Sequence, residues 1–315
     1  MIGFTRAVSG VCENSFGVLQ TISMLKTGAK IAVVAPGGRV EPERLRFPLS
    51  RLRDCGWECV LGQHLYDQHR YYAGSRDERL SDLIWALSAP DIDAIWFARG
   101  GSGTAQLLSD VPWDSLDRRL VIGFSDATAL LIALFNSGFV SIHGPGLISL
   151  GTDDQSADEF SWGALRSLLC EGKDSTLTGQ LLCGPAEVAR GNLVGGNLTI
   201  IASLAGTRHA MKANGAIVVL EDVNEPTYKI ERSLWQLIES GGLAGAVGIG
   251  FGELKGCGRN DENADSLKDA IREMVEPLSV PVLWGLPIGH GRRNVAFRHG
   301  VAATLDPSLG ITTCG

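Results

Sequence analysis

The sequence has no long apolar run and no excess of basic residues, and each absence excludes a class of protein. No apolar run approaches the roughly 18 residues of a membrane-spanning helix. Residues 13–15 are polar and interrupt any signal-peptide core. Lys and Arg number 28 against 35 Asp and Glu, giving a net charge of −7 and no basic footprint for nucleic acid. We therefore expect neither a membrane nor a nucleic acid as partner.

The sequence also lacks the paired motifs of metal and nucleotide sites. Its seven cysteines form no Cys-x-x-Cys pair, and no two histidines have His-x-x-x-His spacing. Cys55 and Cys59 are four residues apart, but nothing elsewhere completes a zinc site with them. No phosphate-binding Gly-x-x-x-x-Gly-Lys-Ser/Thr motif is present. These features predict reduced thiols in a cytoplasmic protein without a bound metal.

Glycine, by contrast, is abundant. The chain has 40 glycines in 315 residues, roughly 13% against an average of about 7%. They follow no Gly-X-Y period, which excludes collagen, and 44% hydrophobic with 20% charged residues is a globular balance. Apolar strand patterns alternate with helical patterns, which predicts a doubly wound parallel sheet. The predicted strands include residues 30–35, 59–61, 93–98, 120–124, 215–221, 246–251 and 280–284, and the helices include 41–55, 77–87, 127–136 and 227–239.

The length fits two domains, and the pattern suggests where they divide. Residues 151–188 begin with a polar stretch and lack a strong strand pattern, so we interpret them as an interdomain linker. This gives a first domain at residues 29–150 and a second at residues 189–315. Residues 1–28 look like an N-terminal extension, in which Met24 offers an alternative start.

Ser125 is the first candidate for chemistry. The predicted strand ends in Gly-Phe-Ser-Asp and runs directly into a helix, like the nucleophile elbow of serine hydrolases. Such a turn exposes the hydroxyl beside the free N–H groups of a helix N-terminus. Ala127 stands where the hydrolase elbow prefers glycine, and Ser is also a common helix N-cap. Both interpretations of Ser125 remain open at this point.

The segment Arg-Gly-Gly-Ser-Gly at residues 99–103 follows another predicted strand. Loops at the carboxyl edge of a parallel sheet bind ligands, and glycines let the backbone approach them closely. The functional interpretation is an oxyanion hole formed by the N–H groups of Gly101 and Asp126. A tight turn without a ligand is the alternative.

Glu221 and His290 are the candidates for the remaining groups of a catalytic site. Glu221 ends a strong strand, where a carboxylate can orient a catalytic imidazole, although an acidic turn capping the helix at Thr227 is the alternative. His290 lies between two glycines in a predicted loop, a setting that core packing explains poorly. His143, which also follows a strand-like segment, competes with it. Together these residues suggest a Ser–Glu–His order along the chain.

With these motifs, the sequence resembles the LD-carboxypeptidase family of serine peptidases, which includes murein tetrapeptide carboxypeptidases and microcin C immunity proteins. The resemblance covers about residues 28–308. It rests on residues 30–36, 97–103, 122–126, 143–145, 195–198, 206–207, 220–222 and 285–290, with Glu225, Tyr228 and Arg232.

The resemblance implies an N-terminal flavodoxin-like domain and a C-terminal swivelling β/β/α domain. It implies a catalytic triad of Ser125, His290 and Glu221 between the two domains, commonly in a homodimer and without a cofactor. The activity expected from it is removal of terminal D-Ala from an L,D-linked murein tetrapeptide during cytoplasmic cell-wall recycling. Small murein peptides are thus the expected partners.

Some positions depart from the family pattern. Ser102 replaces an aromatic residue of the glycine loop, residues 291–294 read Gly-Arg-Arg-Asn instead of Thr-x-Pro-Asn, and residues 1–28 have no counterpart. Arg99, Ser102 and Arg232 are candidates for binding substrate, although Arg232 also fits a surface or interdomain salt bridge.

Two alternative functions follow. One is a microcin C-type immunity hydrolase, which would cleave an acyl-aminoacyl-adenylate with the same triad. The other is a non-catalytic two-domain ligand-binding protein.

Overall fold

The computed structural model describes residues 24–117, 119–151, 155–259 and 266–313. Most of the predicted N-terminal extension, residues 1–23, therefore lies outside the described residues. The following residues pack against the protein, since Leu25 N–H donates to Leu169 O (2.9 Å) and Gly28 N–H donates to Gly56 O (2.8 Å).

The described part of the chain alternates strands and helices. The strands are β1 Lys30–Val34, β2 Glu58–Leu61, β3 Ala94–Phe97, β4 Leu120–Gly123, β5 Ser141–His143, β6 Gln180–Cys183, β7 Ala189–Asn197, β8 Ala216–Val223, β9 Gly248–Lys255, β10 Val282–Gly289, β11 Phe297–His299, β12 Ala302–Asp306 and β13 Gly310–Thr313. The α-helices are α1 Pro42–Asp54, α2 Arg76–Ser88, α3 Thr128–Asn136, α4 Gln155–Glu171, α5 Leu198–Leu204, α6 Thr227–Glu239 and α7 Ser266–Val275.

These strands form two mixed sheets, and the central strands of each sheet are parallel. The first has the order β11-β5-β4-β3-β1-β2, in which only the β11–β5 pair is antiparallel. The second has the order β13-β12-β7-β8-β9-β10-β6, with β7 to β10 parallel. The predicted parallel α/β architecture is therefore confirmed.

Local chemistry explains several element boundaries. Ser75 Oγ accepts from Glu78 N–H while the Glu78 carboxylate accepts from Ser75 N–H, so a capping box begins α2. In α6 the buried residues Ile230, Leu234 and Leu237 follow the helical period, and its bounds match the prediction.

Other boundaries differ from the prediction. The helix expected at residues 127–136 begins with a 3-10 turn, Ser125–Ala127, before α3. The strand expected at residues 280–284 continues to Gly289, because β10 keeps pairing with β9 across a register shift. The segment expected as a linker, residues 151–188, contains α4 and also β6, which is an edge strand of the second sheet.

A hydrophobic cluster extends across both sheets. It contains residues of β1 and β8 as well as the apolar helices α3 and α5, which contact each other. Every residue of α3 from Thr128 to Phe135 is buried, which explains why this helix is apolar on all sides. At the same contact, Asn197 N–H donates to Thr128 Oγ1 (3.0 Å). The carboxyl end of β7 is thereby tied to the first turn of α3.

Two histidines are buried where β11 joins the first sheet. His143 stacks on Phe297 with ring centroids 4.7 Å apart, and His299 Nε2 accepts from Gly195 N–H (3.0 Å). Burial lowers the pKa of His143 to about 3 and the pKa of His299 to about 4. Both rings are therefore neutral in the folded protein near neutral pH.

Their burial predicts acid sensitivity. Between pH about 6.5 and pH about 4 the unfolded chain binds these protons while the folded protein does not, so stability falls as pH decreases through this range. Each pH unit in this range removes about 1.4 kcal/mol per histidine. We expect H143L to lose less free energy of unfolding than the wild type between about pH 7 and pH 4, measured by urea unfolding.

The matched control is H69L, at an exposed position, which should keep the wild-type dependence on pH. Equal pH dependence of H143L and the wild type would contradict the prediction, whatever the absolute stability of the variant.

Candidate active site

Ser125 lies on a sharp, strained turn between β4 and α3. Phe124 is extended, whereas Ser125 has φ = +62°, in the left-handed region that non-glycine residues adopt at a cost of about 1–2 kcal/mol. The turn requires glycine at position 123, two residues before Ser125, because a Cβ there would lie 2.7 Å from Ala127 Cβ. The small residue therefore compensates for Ala127, and the strained turn directs the Ser125 hydroxyl out of the sheet.

Ser125, His290 and Glu221 form one hydrogen-bonded chain. Ser125 Oγ lies 3.0 Å from His290 Nε2, and His290 Nδ1 lies 2.7 Å from Glu221 Oε2. A carboxylate only accepts hydrogen bonds, so Nδ1–H donates to Glu221 and Nε2 accepts from the hydroxyl. The three residues come from the ends of β4, β8 and β10, and the structure brings them together across both sheets.

The close approach of Glu221 to the histidine depends on glycine. Glu221 is fully buried, and a Cβ on Gly289 would lie 2.7 Å from its Oε2. Gly289 also has φ = +108°, and its N–H donates to Asn294 Oδ1 (3.1 Å). A side chain at position 289 would therefore displace the Glu221 carboxylate or shift the backbone that leads into His290.

The predicted glycine loop also lies against Ser125. A Cβ on Gly100 would lie 2.9 Å from Ser125 Oγ and 3.2 Å from Asp126 N. Gly38 N–H donates to Gly100 O (2.9 Å), and Gly101, at φ = +109°, packs directly on Gly38. The loop is thus fixed against the turn at Ser125, with room only for a hydrogen atom in place of a side chain at residue 100.

The Asp126 side chain braces this loop, a contact that the sequence pattern did not predict. Its Oδ2 accepts from Thr104 N–H (3.0 Å) and from Thr104 Oγ1 (2.6 Å). Burial raises the pKa of Asp126, although the hydrogen bonds from Thr104 act in the opposite direction. In the sequence, this contact is indicated only by Thr104, a hydroxyl residue that directly follows the glycine loop.

The structure does not bring the other predicted residues to this hydrogen-bonded chain. Arg99 Nη1 donates to Arg39 O (2.8 Å), Ser102 is exposed, and the Arg232 guanidinium lies over the Tyr228 ring (5.7 Å to its centroid). The competing histidine, His143, finds no hydrogen-bond partner for its ring nitrogens among the described residues. It lies edge-on to the Phe124 ring, which in turn contacts His290 at a centroid distance of 4.6 Å.

A cavity of about 300 Å³ opens beside His290. Its volume is at the lower end of the range for ligand pockets, about 300–1,000 Å³. It is lined by Phe124, Pro145, Ser149, Asp158, Ser161, Lys255, Gly289, His290, Gly291, Arg292 and Asn294.

The described residues contain one group with metal-ligating side chains, away from these contacts. The ligand atoms of His64, Asp67 and Glu78 lie within 4.8 Å of one another. The Glu78 carboxylate caps α2, and His64 Nδ1 lies 2.7 Å from Asp67 Oδ2. These contacts account for the cluster.

The described helices are all too short or too polar to cross a membrane.

Comparison with known proteins identifies the family of the chain. The family model of the LD-carboxypeptidase N-terminal domain matches residues 31–144, and that of the C-terminal domain matches residues 190–305. The chain is 40% identical over 286 residues to the murein tetrapeptide carboxypeptidase of Pseudomonas aeruginosa, covering 88% of this chain and 93% of that protein. It is 32% identical to a probable murein peptide carboxypeptidase of Bacillus subtilis, with 90% of each chain covered.

Solved structures agree with this result. The crystal structure of muramoyltetrapeptide carboxypeptidase from Oxalobacter formigenes is 30% identical, with a TM-score of 0.76 and coverage of 90% of this chain and 97% of that one. The microcin C7 self immunity protein MccF shares the fold at 20% identity, with a TM-score of 0.81 and coverage of 91% and 96%. Both domain matches, the relatives and the solved structures lead to one conclusion: the chain belongs to the LD-carboxypeptidase family.

Proposed function

We propose that this protein is a serine-type LD-carboxypeptidase that releases terminal D-Ala from murein tetrapeptide in cell-wall recycling. The observation that carries the proposal is the hydrogen-bonded chain from Glu221 through His290 to the strained Ser125. The 40% identity to a murein tetrapeptide carboxypeptidase supports the choice of substrate.

In the proposed mechanism, Ser125 is the nucleophile and His290 the general base. His290 Nε2 takes the hydroxyl proton as Ser125 Oγ attacks the L,D-peptide carbonyl. Glu221 stabilises the resulting imidazolium, which then gives its proton to the nitrogen of the departing D-amino acid. Water, deprotonated by His290, hydrolyses the acyl-enzyme and restores the Ser125 hydroxyl.

The same proposal assigns the oxyanion hole to the N–H groups of Gly101 and Asp126. Its support is the contact of the glycine loop with the nucleophile turn, which leaves no room for a side chain at Gly100. Asp126 contributes twice, because its carboxylate also holds Thr104 at the end of the loop. Preorganised donors of this kind stabilise the tetrahedral intermediate without further rearrangement.

The alternatives are less well supported. The similarity to MccF, at 20% identity, concerns the fold. A processed-microcin analogue assayed beside murein tetrapeptide separates the two hydrolases. A non-catalytic binding protein gives no reason for a left-handed serine hydrogen-bonded to a histidine.

Several further assignments remain proposals. We propose a cytoplasmic homodimer, a division into domains at residues 29–150 and 189–315 joined by residues 151–188, and substrate contacts from Arg99, Ser102 and Arg232. Sedimentation of the purified protein tests the dimer.

The first test of the mechanism is S125A. Without the hydroxyl no acyl-enzyme forms, so we expect kcat for D-Ala release to fall by about 10⁴ or more while KM changes little. The control S81A alters an exposed hydroxyl in α2 and should retain full activity. D-Ala release by S125A within about tenfold of the wild type would refute the nucleophile assignment.

The strain at Ser125 gives an independent prediction. Glycine adopts the left-handed conformation without strain, so S125G should be more stable than S125A by about 1 kcal/mol in chemical unfolding, although both are inactive. The same pair of substitutions at Ser203, inside α5, should show the opposite order, because glycine weakens a helix. If S125A were as stable as S125G, the strain argument would be wrong.

The contact at Gly100 predicts a loss of activity without loss of the fold. A methyl group in G100A would press on Ser125 Oγ and Cβ, and a displacement of about 1 Å can reduce turnover about 100-fold. The control is G163A in α4, where an added Cβ meets nothing within 4 Å. Wild-type turnover by a folded G100A would contradict the close approach of the loop to the nucleophile turn.

A further inference from the structure

The cavity beside His290 lies on one side of the nucleophile. The glycine loop that contacts Ser125 is not among the described residues that line it, whereas Gly289, His290 and Gly291 are. In a serine peptidase the histidine gives its proton to the leaving amine, so the leaving residue must lie next to it. A cavity that is walled by His290 and not lined by the glycine loop is therefore in the place of the departing amino acid.

One residue that lines the cavity, Asn294, carries a buried hydrogen-bond donor that has no partner in the described part of the chain. Asn294 is 8% exposed, and its Oδ1 accepts from Gly289 N–H (3.1 Å). This bond fixes the orientation of the side-chain amide, since only the oxygen can accept. The other end, Nδ2, has no hydrogen-bond partner among the described residues. A buried donor left unsatisfied in this way is costly unless a ligand completes it.

Two basic residues line the same cavity, although the Glu253 carboxylate accepts from Arg292 N–H (3.1 Å) beside it. Lys255, at the end of β9, and Arg292 both line it and are both exposed. Lys255 forms no ion pair with any other described residue. Asp158 also lines the cavity, but its Oδ2 lies 2.9 Å from Arg51 Nη2, which offsets its charge. The described lining therefore favours an anionic group.

We propose that this cavity binds the free carboxylate of the substrate's C-terminal residue, with Asn294 Nδ2 and Lys255 Nζ as its principal donors and Arg292 adding positive charge. The assignment rests on the proposed peptidase function and deepens it. It explains how the enzyme acts as a carboxypeptidase: the terminal carboxylate is held beyond His290, which aligns the last peptide bond with Ser125 Oγ. Charge-assisted hydrogen bonds of this type are the strong ones.

The test compares two substrates that differ in one charge. One is an L,D-tetrapeptide ending in D-Ala, and the other is the same peptide ending in D-alaninamide. We expect the wild type to prefer the free acid by about tenfold or more in kcat/KM. K255M removes the ammonium group, and N294D keeps the acceptor for Gly289 N–H while replacing the donor by a negative charge. Each should lower kcat/KM for the acid by about tenfold and change that for the amide by less than about threefold.

Arg293 provides the matched control. It is adjacent to Arg292, but its guanidinium lies 4.6 Å from the centroid of the Phe160 ring, and it is not among the residues lining the cavity. R293M removes the same charge as K255M and should keep the wild-type preference for the acid.

The outcomes separate this assignment from the proposed function. A wild type that cleaves neither peptide defeats both. A wild type that cleaves acid and amide equally, or variants in which both rates fall together, overturns the carboxylate site and leaves the peptidase function standing. Loss of the preference for the acid in K255M and N294D, but not in R293M, supports it.

Discussion

Ser125 Oγ and His290 Nε2 lie 3.0 Å apart, and this hydrogen bond requires the carboxyl ends of strands from two separate sheets to lie next to each other. The strands β3 and β4 lead to the glycine loop and to Ser125, and β8 and β10 lead to Glu221 and His290. The contacts that hold these strand ends together lie behind the site. There α3 packs on α5, and the end of β7 donates a hydrogen bond to Thr128. A Cβ on Gly196 would lie 2.5 Å from Thr128 Oγ1, so the contact depends on glycine as well.

The glycine surplus is best understood from these close approaches. At Gly100, Gly196 and Gly289 the nearest side chains are, respectively, those of Ser125, Thr128 and Glu221. Because glycine has no side chain, the backbone at each of these positions can approach a polar side chain of another segment closely. The entropic cost of glycine in the unfolded chain is then offset by the tertiary packing that these contacts permit.

Much of this could be predicted from the sequence, and the reasons for the failures are physical. The strand–helix alternation identified the parallel sheets, and Ser125, Glu221 and His290 stood at predicted strand ends. Local patterns carry no information about distant partners, however. The pairing of β11 with β5 joins Phe297 to His143 through three-residue strands, which are too short to show a period. The brace between Asp126 and Thr104 likewise depends on the turn that brings the two residues together. The contacts of Arg99 with Arg39 O and of Arg232 with the Tyr228 ring are likewise tertiary or side-chain geometry that the charge pattern does not show.

The environment of Glu221 suggests why the proposed mechanism needs a buried carboxylate. The side chain is fully buried, one oxygen meets His290, and the other has no hydrogen-bond partner among the described residues. A carboxylate so poorly solvated gains most from a positive charge placed beside it, because the low local dielectric strengthens their attraction. That charge appears on His290 as Ser125 attacks. The incomplete solvation of Glu221 in the resting protein is thus relieved in the transition state, which is the condition for an interaction to accelerate the reaction.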